Sequence, residues 1–112
     1  MERKYIAISI KHTEYRWKYG KPCTLWGCCR TADNEKRCFS GYTFFLSRAE
    51  LYSPEEFREH GYGVDIVKPD PVSMEIGFCK KWKKFDTVLV AADEYEAYCK
   101  MCCLALEPPE GA

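Results

Sequence analysis

Apolar and polar side chains alternate over residues 4–10 (KYIAISI), a run rich in β-formers, and this predicts a first strand. Residues 11–21 are polar and aromatic, end in Gly-Lys-Pro, and read as a long excursion. Residues 23–30 (CTLWGCCR) predict a second strand and residues 37–46 (RCFSGYTFFL) a third, with Gly41 as a bulge position. The turn-rich stretch TADNEK between them makes the pair an antiparallel hairpin.

Ser53, Pro54 and Glu56 form a helix start: a hydroxyl that caps, a proline at the first helical position and a carboxylate that completes a capping box. His60-Gly61 ends that helix after a short run. Residues 72–84 fit two elements. Val72, Ile76, Cys79 and Trp82 share a helical face, whereas Met74, Ile76 and Phe78 alternate as in a strand; helix is the preferred reading. Residues 85–91 (FDTVLVA) give the clearest strand, apolar on both faces in its middle and so expected to be central. A final helix follows, with Asp93 as its expected cap, Glu96 as capping-box partner, Glu96 and Lys100 as an i,i+4 pair, and Pro108-Pro109 as its stop. The expected fold is α+β: one globular domain over residues 1–112, with a curved antiparallel sheet of about four to five strands and two or three helices packed on one face.

Composition supports a folded chain. Of the 112 residues, 46% are hydrophobic and 15% aromatic, enough for a core without obligatory cross-links. No apolar run approaches a membrane span and the N-terminus lacks a small-residue cleavage site, so the expected location is the cytoplasm, with no membrane contact. The formal charge is zero but is distributed in blocks. Residues 1–30 hold seven Lys/Arg against two Asp/Glu, residues 31–79 five against nine, residues 80–84 four lysines, and residues 85–112 one against six. Such blocks point to a macromolecular partner more than to a small substrate, provided the fold does not mix them.

Eight cysteines invite a chemical reading. On the last helix Tyr95, Tyr98, Cys99, Cys102 and Leu106 recur at helical spacing, so these cysteines read first as core residues. Cys99 and Cys102 also have the separation of half a zinc site, to which Cys23 and Cys28 could add the other half. The pair falls mid-helix, where a zinc knuckle or a low-pKa redox pair is not expected, and zinc ranks below packing. No cofactor is therefore expected. No phosphate loop, nucleophile elbow or metal-helix motif is present, and with eight cysteines a chance pairing of His12 or His60 with one of them is cheap, so no enzyme is expected.

Two surfaces remain. Tyr15, Arg16, Trp17 and Tyr19 put aromatics and arginine in one loop, the composition of an interface hot spot, and a protein partner is the leading expectation. Lys80, Lys81, Lys83 and Lys84 around Trp82 offer the alternative, nucleic acid, with phosphate neutralisation and base stacking. A zinc-stabilised binding module is the third. The segments KYIAISIKHTEYRWKYGKPCTLWG and FDTVLVAADEYEAYCKMCC resemble small uncharacterised proteins carried on mobile elements of gut Firmicutes. That resemblance implies a bacterial accessory protein that meets host machinery; it carries over no activity and no functional residue.

Overall fold

A computed structural model describes residues 2–9, 23–32, 35–61, 64–68 and 87–109. The described elements are β1 (Tyr5–Ser9), β2 (Leu25–Trp26), β3 (Tyr42–Thr43), α1 (Pro54–Glu59), β4 (Val64–Ile66), β5 (Thr87–Ala91) and α2 (Ala92–Met101). The strands form one five-stranded sheet in the order β3-β2-β1-β5-β4. β1 and β5 are its central, antiparallel pair, in register from Tyr5↔Ala91 to Ser9↔Thr87. β5 is central as its two-faced hydrophobicity predicts.

That same two-faced character decides where the helices go. Ile6, Ile8, Val88 and Val90 point to one face, where Tyr95, Tyr98 and Cys99 of α2 close a core with Leu25 and Cys23. Ala7 and Leu89 point to the other, where Phe57 of α1 packs with Trp26, Tyr52 and Val64. The chain is α+β, but its helices cover opposite faces rather than one. With both faces of the central strands apolar, each face needs its own cover.

The sheet is mixed, not wholly antiparallel: β4 pairs in parallel with β5 from Val64↔Thr87 to Ile66↔Leu89. The predicted hairpin exists but is short, with Leu25↔Thr43 and Trp26↔Tyr42 as its registered pairs. The two glycines that continue this ladder, Gly27 and Gly41, have φ of +88° and +81° and turn the arms out of the strand conformation. Apart from β3, the described residues from 28 to 51 are irregular.

α1 starts as predicted. Ser53 Oγ accepts from the Glu56 amide while the Glu56 carboxylate accepts from the Ser53 amide, and His60 caps the other end. α2 differs at both ends. Asp93 is not its cap: Ala91 holds the N-cap position without a side-chain bond, because β5 runs straight into the helix and the Ala92 amide bonds Lys4 O at 2.9 Å. The Asp93 carboxylate instead accepts from the Glu94 amide at 2.8 Å. The helix stops well before the prolines. Leu104 N–H donates to Cys99 O at 2.8 Å and Cys103 N–H to Lys100 O at 3.3 Å, with Cys103 at φ +56°, which is a Schellman ending. Leu104 and Leu106 then fold back against the core as chain beyond the helix. The Glu96–Lys100 pair forms at 3.8 Å. Residues 72–84, with their two readings, lie outside the described residues. No helix among the described residues is long and apolar enough to cross a membrane.

Candidate functional site

The irregular stretch after β2 is organised around a buried carboxylate. Glu50 is fully buried, and its Oε1 accepts from Arg37 Nη1 (3.1 Å), the Thr31 amide (3.2 Å) and the Leu51 amide (3.1 Å). Its Oε2 accepts from the Cys38 amide at 3.1 Å. Arg37 reaches on to the carbonyls of Ala32, Glu35 and Leu51. An ion pair out of water is costly unless hydrogen bonds satisfy its remaining valences, and here three backbone amides do so for the carboxylate. Gly27 lies close beneath it: a β-carbon there would sit 2.6 Å from Glu50 Cβ. Nothing in the local sequence RAELY marks Glu50 as buried. Its environment arises from segments that meet only in the fold.

This scaffold presents an aromatic cluster to the surface. Tyr52 and Phe57 are fully buried with ring centroids 4.5 Å apart, edge to face. Phe57 contacts Trp26 at 5.3 Å and Phe39 at 5.2 Å. From there the cluster reaches solvent along two routes. Trp26 meets Tyr42 at 6.0 Å, and Tyr42 is 45% exposed beside Phe44 at 41%. Phe39 stacks on the exposed His60 ring at 4.0 Å, nearly parallel. Beside that stack runs a groove of about 370 Å³ whose rim includes Arg3, Lys36, Glu56 and Glu59. A second groove, about 610 Å³, opens where β4 and β5 end and α2 begins; Arg3, Lys4, Lys68, Asp93 and Glu94 line it, with Lys68 Nζ 3.9 Å from Glu94 Oε1.

Six of the seven described cysteines fall into two groups, and Cys103 is exposed just past α2. Cys23, Cys99 and Cys102 gather on the α2 face. Burial pushes the Cys23 thiol up to about 12 and the Cys99 thiol to about 11, with the Tyr95 hydroxyl opposing both shifts slightly. Tyr95 Oη faces these sulfurs without an aligned hydrogen bond, and burial likewise raises its own pKa. Cys28 is not with them. It is exposed on the hairpin beside Cys29, its sulfur lying over Gly41, and Cys38 comes close from the other arm. The four residues weighed as zinc ligands therefore occupy two places, three in the core and Cys28 at the surface. Among the described residues no group of three or more His, Cys, Asp or Glu has an arrangement that could hold a metal ion.

Tyr15, Arg16, Trp17 and Tyr19, and Lys80, Lys81, Trp82, Lys83 and Lys84, lie outside the described residues. Sequence reasoning missed the Tyr42–Phe44 surface because residues 37–46 read as one strand of a hairpin. The signal was present in GYTFF, where Tyr42 and Phe44 are two apart, the spacing of one strand face, although β3 ends at Thr43. No protein-family model, curated protein or solved structure matches the chain.

Proposed function

We propose that the chain is a non-enzymatic binding protein whose ligand is another protein. The observation that carries this reading is the continuity of the aromatic cluster from the core to the surface. Tyr42 is exposed on one side yet braced on the other by Trp26, which Phe57 holds in turn. A braced aromatic loses little freedom on binding and presents a large amphipathic area, which is how interface anchors work. Tyr15, Arg16, Trp17 and Tyr19 supply the same chemistry in the sequence and belong to the same proposal. So does the role of an accessory protein from a mobile element acting on host machinery, which rests on the resemblance of the two segments above.

The test uses capture and then affinity. The immobilised full chain is expected to retain a partner from a bacterial lysate, and the recovered partner is titrated against Tyr42→Ala/Phe44→Ala and Arg16→Ala/Trp17→Ala variants. Loss of about tenfold or more in affinity, roughly 1.4 kcal/mol, with an unchanged far-UV spectrum places the partner on the corresponding surface. Undiminished affinity in both variants removes both surfaces, and failure to retain any protein partner refutes the reading.

A further inference from the structure

We infer that Cys28, Cys29 and Cys38 form a surface thiol site for low-molecular-weight disulfides of the glutathione class, in which the Cys28–Cys29 pair takes up the mixed disulfide and Cys38 resolves it. The geometry comes from the hairpin. The pairing Trp26↔Tyr42 and the bond from Gly27 N–H to Gly41 O at 2.9 Å bring the next residues of the two arms together. Gly41 has no side chain, and the Cys28 sulfur lies 3.1 Å from where its β-carbon would be. The Cys38 thiol donates to Ser40 O at 3.2 Å. The Cys28 and Cys38 sulfurs, one from each arm, therefore rest on consecutive residues, Ser40 and Gly41. Cys28 and Cys29 are exposed and Cys38 is half-buried, so a small disulfide has access.

Charge supports the same grouping. The Cys29 thiol is raised first by the neighbouring Cys28, then by desolvation, and further by Cys38 and Glu50. The first thiolate attacks the small disulfide. The core group has no such route. Cys23 and Cys99 are buried and hold their protons, so they supply no thiolate near neutral pH.

The chemistry balances. A Cys28 or Cys29 thiolate attacks one sulfur of the small disulfide, its S–S bond breaks, and one small thiolate leaves with the electron pair and takes a proton. The Cys38 thiolate then attacks the protein sulfur of the mixed disulfide, and the second small thiolate leaves and is protonated. Two protein thiols are oxidised to one disulfide, one small disulfide is reduced to two thiols, and two protons pass from protein to products. Cys38 resolves, rather than the adjacent cysteine, because neighbouring Cα atoms are about 3.8 Å apart across a trans peptide. A disulfide usually spans about 4.4–6.8 Å between its Cα atoms.

The experiment incubates the reduced full chain with oxidised glutathione, quenches with acid and maps the products by mass spectrometry. Proteolytic cleavage after Arg30 and Arg37 separates the two arms; Cys23 shares a peptide with Cys28 and Cys29, so fragmentation of the linked peptide distinguishes the expected bridge, Cys28 or Cys29 to Cys38, from one to Cys23. In Cys38→Ser the mixed disulfide on Cys28 or Cys29 is expected to persist, at least about tenfold more abundant than in the unaltered chain. The inference is overturned if the unaltered chain stays glutathionylated, bridges to any other cysteine, or does not react. The mapping of the unaltered chain stands whether or not the serine variant folds.

Discussion

The β1–β5 pair and the mostly irregular segments around Glu50, residues 27–32 and 35–51, are both buried in part, yet they are held by opposite means. In the strand pair the interior is apolar: Ile6, Ala7, Ile8, Val88, Leu89 and Val90 are all fully buried, and the polar work is done by the ladder itself. In the irregular stretch the ladder fails at two glycines, and the carboxylate of Glu50 takes over the amides of Thr31, Cys38 and Leu51 that have no strand partner. Arg30 adds to this by donating to Ala49 O at 3.1 Å and Leu46 O at 2.7 Å. One region relies on periodicity, where any residue of the right size and polarity serves. The other relies on particular atoms, where one substitution strands several partners.

The largest expected effect follows from that difference. Glu50→Ala removes the counter-charge of the buried Arg37 guanidinium and the acceptor of three amides, and is expected to lower unfolding free energy by about 3–5 kcal/mol, measured by urea titration. The comparison sharpens in the double variant Arg37→Met/Glu50→Leu. A buried pair whose only task is mutual neutralisation is often replaced by apolar residues at little cost. Here the double variant is expected to stay destabilised by more than about 2 kcal/mol, because backbone amides have lost their partners. Recovery to within about 1 kcal/mol of the parent would show that the amides are satisfied without the carboxylate.

Leu89→Ala tests the apolar region, with an expected loss of about 2–5 kcal/mol from one fully buried side chain. A smaller loss than Ser53→Ala would break the contrast. Alkaline pH comes next. The Cys23 pKa rises on folding from 9.0 to about 12, so above pH about 9 the unfolded chain releases a proton that the folded chain keeps. Its contribution is fully present below pH 9 and falls by about 1.4 kcal/mol per pH unit until the folded pKa is reached. Cys23→Ala is expected to flatten the decline of stability between pH 9 and 11 relative to the parent, whatever its stability at pH 7. Equal slopes would place the Cys23 thiol in contact with water. Ser53→Ala removes half a capping box and is expected to cost about 1 kcal/mol, read by thermal unfolding.

Periodicity and short-range signals were legible along the chain wherever the information is local. The alternation at residues 4–10 and the apolar run at 85–91 became the central strand pair. Ser53, Pro54 and Glu56 became a capping box, because its partners lie within one turn of each other. The helical spacing of Tyr95, Tyr98 and Cys99 became the buried face of α2. Of the candidate sites, the cysteines were read as core on that helix, but their division into two groups was not. Cys23 and Cys28 are five residues apart in sequence, yet one faces the core under α2 and the other lies on the hairpin surface.

Tertiary structure alone decided the remainder, since each of those features depends on a partner distant in sequence. The parallel pairing of β4 depends on where β5 lies, and which helix covers which face of the sheet depends on contacts between segments distant in sequence, although the need to cover both faces was legible in residues 85–91. The end of α2 at Met101 was hidden because the left-handed residue that follows a helix is normally glycine and here is Cys103, after which Leu104 and Leu106 turn back onto the core. The burial of Glu50 was hidden for a like reason: a charged residue reads as solvated until the fold supplies Arg37 and three amides around it. The sequence thus determined which segments form regular structure and which sides of them are apolar. The fold determined which polar atoms meet and which thiols remain exposed, because those contacts join segments far apart along the chain.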